Sequence, residues 1–221
     1  MSSNHNKFVY IFLFIFLFIN ICTSGTSLFE KYGLKIGTSL ATQKWEYHDL
    51  PPYFGDPNLP TKIRWGIDAA VYLQVADFKI LSIITEIHYI QKGRCVTISG
   101  ITIADNPDGY EETGPHQITM SFNYLSLPIL LRTNLLQSSY SPYLFLGPRL
   151  DYLIYHEPSS VYDNFTKIDY GMTIGLGCEM NFEFVIFLVE IRYSPTLNYS
   201  YQNQYLNVKN ECAEILIGIQ L

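Results

Sequence analysis

The feature that most constrains the fold is a repeated alternation of apolar and more polar residues with a period of two. Between residues 65 and 75 the apolar side chains occupy odd positions, and the even positions carry Gly66, Asp68, Ala70, Tyr72 and Gln74. Successive side chains of a β-strand point to opposite faces, so this period predicts a strand with one apolar face. The same pattern predicts seven further strands, at residues 32–40, 81–89, 125–132, 144–154, 169–179, 187–194 and 213–221.

The connections between these strands alternate between long and short along the chain. Long links rich in turn-forming residues are predicted at 48–61, 92–115, 156–164 and 195–206, and they contain Pro51, Pro107, Pro158 and Asn203. Short turns are predicted near Asp77, Ser139 and Phe182. This alternation is typical of outer-membrane barrels. We therefore expect an all-β fold, an eight-stranded antiparallel up-and-down transmembrane β-barrel, with the long loops outside the cell and the tight turns and both chain ends in the periplasm.

The low charge of the chain favours a membrane barrel over a soluble one. Charged residues make up 15% of the sequence, too few to cover the outer face of a soluble barrel. The face opposite the apolar one carries glycines and isolated charges, which suits a narrow, crowded interior. A soluble lipocalin-like binding barrel, with its apolar face inside, remains the alternative. The formal charge of -6 offers no attraction to phosphate backbones, so we expect no nucleic-acid binding.

The first 25 residues have the layout of a secretory signal peptide. An apolar run from residue 8 to 22 follows Lys7 and precedes small, polar residues. The run is shorter than the roughly 20 residues of a permanent membrane helix, although an uncleaved anchor or a lipid on Cys22 remain alternatives. We expect a signal peptide at residues 1–25 and one outer-membrane barrel domain at 26–221. The three remaining cysteines, Cys95, Cys178 and Cys212, indicate no disulfide framework.

The more polar face gathers charges of both signs, which are predicted to point into the barrel. They are Lys35, Arg64, Arg132, Arg149, Arg192, Asp68, Glu86, Asp151, Asp169, Glu179, Glu190 and Glu214. Charges confined in an eight-stranded interior must pair, because desolvation of an unpaired charge is costly. We therefore interpret these residues as a structural ion-pair network, which His88 joins through Glu86. A proton or ion pathway is the alternative.

Histidines near the predicted outer strand ends are the candidates for chemistry. His48 with Asp49, His116, and His156 with Glu157 and Ser159 fall on one rim, where three imidazoles could bind a metal or share a proton. Their spacing is irregular, and none has a nucleophile at a diagnostic offset. We interpret them as solvated loop histidines.

Four segments carry a family resemblance. They are YLSLPILLRTNL at 124–135, SPYLFLGPRLDYLI at 141–154, DYGMTIGLGCEM at 169–180 and FLVEIRYSPTL at 187–197. In order and spacing they resemble the PorT-like outer-membrane β-barrel proteins of Bacteroidetes, over most of the mature chain. The resemblance implies an outer-membrane location and a barrel fold, and it implies no defined activity.

Two classes of function remain open. The first is a non-enzymatic barrel with a structural or interaction role, accessory to secretion or surface assembly. The second is a barrel enzyme acting on lipid or peptide at the extracellular rim. Because the chain displays no compact set of acid, base and nucleophile, we expect no enzyme, no catalytic, cofactor-binding or metal-binding residues, and no cofactor. The expected partners are outer-membrane lipid and a protein bound through the long extracellular loops of a monomeric barrel.

Overall fold

The computed structural model describes residues 31–48, 61–78, 81–98, 116–136, 138–156 and 165–220. Its strands are β1 (Lys31–Tyr47), β2 (Thr61–Lys62), β3 (Arg64–Phe78), β4 (Leu81–Ile98), β5 (His116–Asn134), β6 (Tyr140–His156), β7 (Ile168–Asn181), β8 (Ile186–Tyr193), β9 (Tyr201–Gln202) and β10 (Leu206–Gln220). Strands β2 and β9 have two residues each, and the other eight are long. The eight predicted strands are therefore confirmed. Within these ranges no helix has the length and hydropathy needed to cross a bilayer.

The eight long strands form one closed antiparallel sheet. Each pairs with the next along the chain, in the order β1-β3-β4-β5-β6-β7-β8-β10. The last strand then pairs with the first, from Gly33 opposite Gln220 to Tyr47 opposite Leu206. This closure leaves the sheet without a free edge along these strands, as a barrel in a membrane requires. The predicted up-and-down barrel is confirmed.

The register places the chain ends and the tight turns at the same end of the barrel. Lys31 at the start of β1 pairs with Gln74 near the end of β3, and Gly33 pairs with Gln220. We call this the turn end and the opposite one the loop end. The turn predicted near Asp77 lies later than expected, because β3 continues to Phe78 and only residues 79–80, outside the described ranges, connect it to β4.

The apolar face of each strand points away from the barrel axis, as predicted. Val71 at the middle of β3 is 47% exposed, and its cross-strand partners Leu34 and Ile87 are each 52% exposed. On the other parity, Asp68 is fully buried and Ala70 is nearly so. A soluble lipocalin-like barrel would show the reverse arrangement, so this alternative is wrong.

The height of the apolar belt matches an outer membrane. On β7 the outward-facing residues run from Tyr170 to Met180 and include Met172, Ile174 and Leu176. A rise of about 3.3 Å per residue gives roughly 33 Å along the strand, and a tilt of about 40° reduces this to roughly 25 Å. On β1 the belt ends before Lys44 and Glu46, whose side chains form an exposed ion pair of 2.9 Å.

The third predicted link, from Lys92 to residue 115, is partly wrong. Strand β4 continues to Ile98 and keeps its register with β5, so that Ile98 lies opposite His116. Lys92 and Arg94 are therefore inward-facing strand residues rather than loop residues. The alternation is hard to recognise here because charges occupy the inner face and because Gly93 adopts a positive φ of 132°. Residues 99–115 lie outside the described ranges.

The prediction of a long loop at the seventh link, residues 195–206, is also wrong. The backbone of this link extends β8 toward the loop end: the Ser194 and Thr196 amides donate to β10 carbonyls, and Thr196 bridges to Gly171 of β7. Pro195 has no amide hydrogen, so the regular ladder stops there while the chain stays in the wall. The actual reversal is a tight turn in which the Asn203 side chain accepts the amides of Tyr205 and Leu206.

Two predictions about the chain ends and thiols have different outcomes. Residues 1–30 lie outside the described ranges, so the signal peptide at residues 1–25 and the boundary of the barrel domain at residue 26 stay predictions. Cys95, Cys178 and Cys212 are free thiols. No disulfide framework joins these three cysteines, as expected from the sequence.

Candidate functional site

The lumen is the most chemically distinctive part of the molecule. Among the described residues, seven Lys and Arg side chains and seven Asp and Glu side chains are buried inside the barrel. All twelve predicted lumen charges are among them, and Lys92 and Arg94 complete the set. The two signs occur in equal numbers, so most of these side chains can pair with an opposite charge.

A central group of ion pairs crosses the lumen. Lys35 donates to Glu86 and to Glu190, at 2.7 Å each. Arg192 binds the same two carboxylates, with its Nη1 2.5 Å from Glu86 and its Nε 2.9 Å from Glu190. The Tyr143 hydroxyl donates to Glu190 at 2.6 Å. These residues come from β1, β4, β6 and β8, so the group ties opposite walls of the barrel together.

His88 extends this group to a third carboxylate. Its Nδ1 lies 2.7 Å from Asp68, and its Nε2 lies 2.7 Å from Glu86. Nε2 also lies 3.3 Å from the Arg192 guanidinium. The prediction that His88 joins the lumen network through Glu86 is confirmed, and Asp68 on the neighbouring strand is the partner that its sequence position did not reveal.

Two smaller groups lie on either side of the central one. Toward the loop end, Asp151 accepts from Lys92 at 2.6 Å and from Arg149 at 3.0 Å. The Nη1 of the same arginine lies 4.0 Å from Glu214. Toward the turn end, Arg132 pairs with Glu179 at 2.7 Å. Each of these two groups contains as many cations as carboxylates.

Aromatic rings fill the lumen on the turn side of the central group. Lys35 lies 4.6 Å from the centre of the Tyr72 ring, and the Arg132 guanidinium lies 3.8 Å from the centre of the Tyr143 ring. The Tyr143 ring in turn covers Gly177, where a Cβ would collide with it. A glycine on one strand therefore makes room for an aromatic ring from the next, so the cations stack on rings in a dry interior.

At the loop end, one carboxylate fixes the irregular segment of residues 194–200. Asp169 is buried, and its oxygens accept hydrogen bonds from hydroxyl and amide groups of five residues. These are Ser200 at 2.6 Å, Thr166 at 3.1 Å, Asn198 and Asn210 at 3.2 Å, and Tyr124 at 3.3 Å. The donors come from four parts of the wall, so Asp169 closes the barrel where β8 becomes irregular.

Among the described residues, the cavity in the middle of the lumen is small. A cavity of about 10 Å³ lies between His88, Arg149, Arg192 and Glu214. A site of this size holds about one water molecule. The side chains therefore fill the middle of the barrel, as the eight-stranded width predicts.

The rim histidines do not assemble into a catalytic group in the described part of the chain. The Nε2 of His48 lies 2.9 Å from the Asn207 amide nitrogen. The His156 ring lies beside the rings of Phe122 and Phe165, with each centroid 6.0 Å away. His116 begins β5, but its side chain is not described, and Asp49, Glu157 and Ser159 lie outside the described ranges. No group of three or more potential metal ligands occurs among the described residues.

Comparison with known families decides what kind of barrel this is. The model of the family described as outer membrane protein beta-barrel domain matches residues 31–202. The chain belongs to this outer-membrane β-barrel family. Its location is therefore the outer membrane, which agrees with the outward-facing apolar belt. No curated protein matches the chain.

Solved structures of outer-membrane barrels resemble this one in fold. The outer membrane protein OprG from Pseudomonas aeruginosa has 10% sequence identity and a TM-score of 0.53, covering 86% of this chain and 95% of that chain. Neisserial surface protein A has 12% identity and a TM-score of 0.45, covering 85% and 96%. The attachment invasion locus protein Ail of Yersinia pestis has 13% identity and a TM-score of 0.40, covering 86% and 98%. At such low identity the likeness to OprG supports the outer-membrane barrel fold alone.

Proposed function

We propose that this outer-membrane barrel is a non-enzymatic structural or interaction component that does not conduct ions. The observation that carries this proposal is the filled lumen. Eleven of the fourteen buried charges take part in ion pairs or contact His88, and the cavity beside His88 measures only about 10 Å³. A conducting pore needs a continuous water-filled path, whereas here the interior is occupied by side chains at several levels.

The long connections at the loop end are the proposed contact surface for a protein partner. The segments 49–60, 99–115 and 157–164 all leave the barrel at this end, because they follow β1, β4 and β6. The barrel holds their ends in fixed positions through strand pairing, which makes it a rigid support for variable segments. The tight turn at Asn203 removes the fourth loop from this surface.

Two described contacts of the rim histidines are in keeping with this proposal. The Nε2 of His48 contacts the side-chain amide of Asn207, and the His156 ring packs beside two phenylalanine rings. Both contacts lie where the strands meet the long connections. The barrel is therefore proposed to act through the loops as a monomer, with outer-membrane lipid around it.

Within this family, we propose that the chain is related to the PorT-like group. The four segments between residues 124 and 197 support it, since they form the continuous wall from β5 to β8. On this basis the proposed role is accessory to secretion or to surface assembly.

The proposal is tested by complementation of a strain that lacks the protein. A variant without residues 105–112 should reach the outer membrane and show the heat-dependent gel shift of a folded barrel, because closed strand pairing stabilises the barrel. It should nevertheless fail to restore the phenotype. The rim variants His48→Gln and His156→Gln serve as controls and should restore it. Loss of function in the histidine variants, with function retained in the deletion, would favour a rim enzyme instead.

A further inference from the structure

The surroundings of His88 point to a bound proton in the lumen. Its two ring nitrogens face two different carboxylates at the same distance, 2.7 Å to Asp68 and 2.7 Å to Glu86. We propose that His88 is held as an imidazolium in the folded barrel and that the lumen is a binding site for this one proton.

Hydrogen-bond chemistry provides the first argument. A neutral imidazole has one N–H, so it can donate to one carboxylate while its other nitrogen presents a lone pair. A lone pair 2.7 Å from a carboxylate oxygen would be repelled. An imidazolium donates from both nitrogens, and each bond is then charge-assisted. The observed geometry around His88 therefore matches the protonated ring.

The charge balance of the central group provides the second argument. Its fixed cations are Lys35 and Arg192, and its carboxylates are Asp68, Glu86 and Glu190. Without a proton on His88 this group would carry one uncompensated negative charge. The other two groups, Lys92 and Arg149 with Asp151 and Glu214, and Arg132 with Glu179, are neutral without any added proton. A proton on His88 makes all three groups neutral; the other buried charges, Arg64, Arg94 and Asp169, lie nearer the loop end and belong to none of them.

The position of Asp68 explains why this charge cannot be left uncompensated. Asp68 is fully buried, and its Oδ1 contacts His88, while its Oδ2 has no hydrogen-bond partner in the described part of the chain. The neighbouring cavity admits about one water, which leaves no room for a hydrated counter-ion. A neutral His88 would therefore leave a buried carboxylate without a counter-charge, at a high desolvation cost.

The other walls around His88 do not supply the missing charge. From β8, Arg192 lies 3.3 Å from Nε2, but its guanidinium already binds Glu86 and Glu190. From β6 and β10, Arg149 and Glu214 face the same cavity and are close to each other, at 4.0 Å. From β5 and β7, Ser126 and Thr173 line the cavity with uncharged hydroxyls. The proton on His88 is thus the third positive charge, which balances the three carboxylates of the central group.

The proposal predicts a direct spectroscopic result. In the folded barrel labelled with ¹⁵N-histidine, both ring nitrogens of His88 should carry a proton at pH 8. The His88→Gln variant assigns the signals. A single neutral tautomer at His88, or a protonated carboxyl group found by infrared spectroscopy in its place, would overturn the proposal.

A charge-compensation experiment tests the same site through stability. In His88→Gln the central group keeps its three carboxylates and loses the third cation, so the folding equilibrium constant should fall at least tenfold. Adding Asp68→Asn removes the surplus carboxylate and should restore most of the loss. His48→Gln is the matched control and should change little. If His88→Gln does not fold alone, the double variant should still fold; a double variant no better than His88→Gln would contradict the proposal.

The pH dependence supplies a third readout. An unfolded histidine releases its proton near pH 6.5, whereas the folded barrel keeps it. The folding equilibrium constant of the wild type should therefore fall about tenfold per pH unit between pH 7 and 8, with the loss of one proton on unfolding. The double variant His88→Gln with Asp68→Asn should lack this dependence. An equal slope in both proteins would show that His88 does not hold the proton.

Discussion

Placing a charge at Val71 is the sharpest perturbation of the lipid-facing wall. Val71 lies at the middle of β3, points outward with 47% exposure, and is flanked by Leu34 and Ile87 on the adjacent strands. A belt of roughly 25 Å places it about 12 Å from either interface. Arginine at such a depth costs about 2–4 kcal/mol. The folding equilibrium constant of Val71→Arg should therefore fall by roughly 30- to 700-fold.

The assay is reversible urea unfolding of the purified barrel in lipid vesicles, followed by tryptophan fluorescence. Gln117→Arg is the matched control, because Gln117 is exposed on β5 next to the loop end. This control should stay within about 0.5 kcal/mol of the wild type. Thinner bilayers should reduce the cost at Val71, since they bring the interface closer. Equal stability of the Val71 and Gln117 variants would show that the outward face does not contact hydrocarbon.

The inward neighbour provides a second comparison for the same assay. Ala70 is 6% exposed and faces the lumen, so an arginine there meets packed side chains rather than lipid. Ala70→Arg should also destabilise the barrel, but its cost should not depend on bilayer thickness. A thickness dependence at Ala70 equal to that at Val71 would contradict the assignment of the two faces.

Three further outcomes follow from the wall and its lumen. Arg192→Met should cost about 3–5 kcal/mol in urea unfolding, because it removes one of the two cations that Glu86 and Glu190 share and leaves Lys35 alone to balance two buried carboxylates; a change under about 1 kcal/mol would mean that the network is not stabilising. Gly147→Val should abolish the heat-dependent gel shift, because a Cβ there collides with the carbonyl of the adjacent β5, and a normal shift would refute this packing. Protease added to intact cells should cut the link that contains Pro107 and spare the turn at Ser139; the opposite pattern would reverse the orientation.

The facing of the strands could be predicted from the sequence because period two is a local property. Lys35, Glu86 and Arg192 occupy the parity opposite the apolar stripe of their own strands, so their inward direction follows from sequence alone. Their pairing could not be predicted. Lys35 meets Glu190 across the lumen, 155 residues away, and this contact depends on the register and curvature of the whole barrel.

Two features could not be predicted from the sequence, for different reasons: the aromatic rings inside the lumen and the closure of the barrel wall by residues 194–200. Tyr143 points into the lumen, but an isolated aromatic residue fits either face of a barrel strand. Gly177 makes room for its ring, and this relation becomes visible only when the pairing of the two strands is known. The polar composition of residues 195–206 is typical of a loop. In this segment, long-range backbone hydrogen bonds to β10 and the side-chain hydrogen bonds to Asp169 outweigh the local preference for a loop.

Ion conductance tests the central claim most directly. The barrel should be refolded, shown to be folded by its heat-dependent gel shift, and inserted into planar lipid bilayers. Because paired charges, aromatic rings and a cavity of about 10 Å³ occupy the lumen, insertion should produce no unitary current steps at neutral pH. Stable, reproducible single-channel steps from the folded protein would contradict the account of a closed lumen.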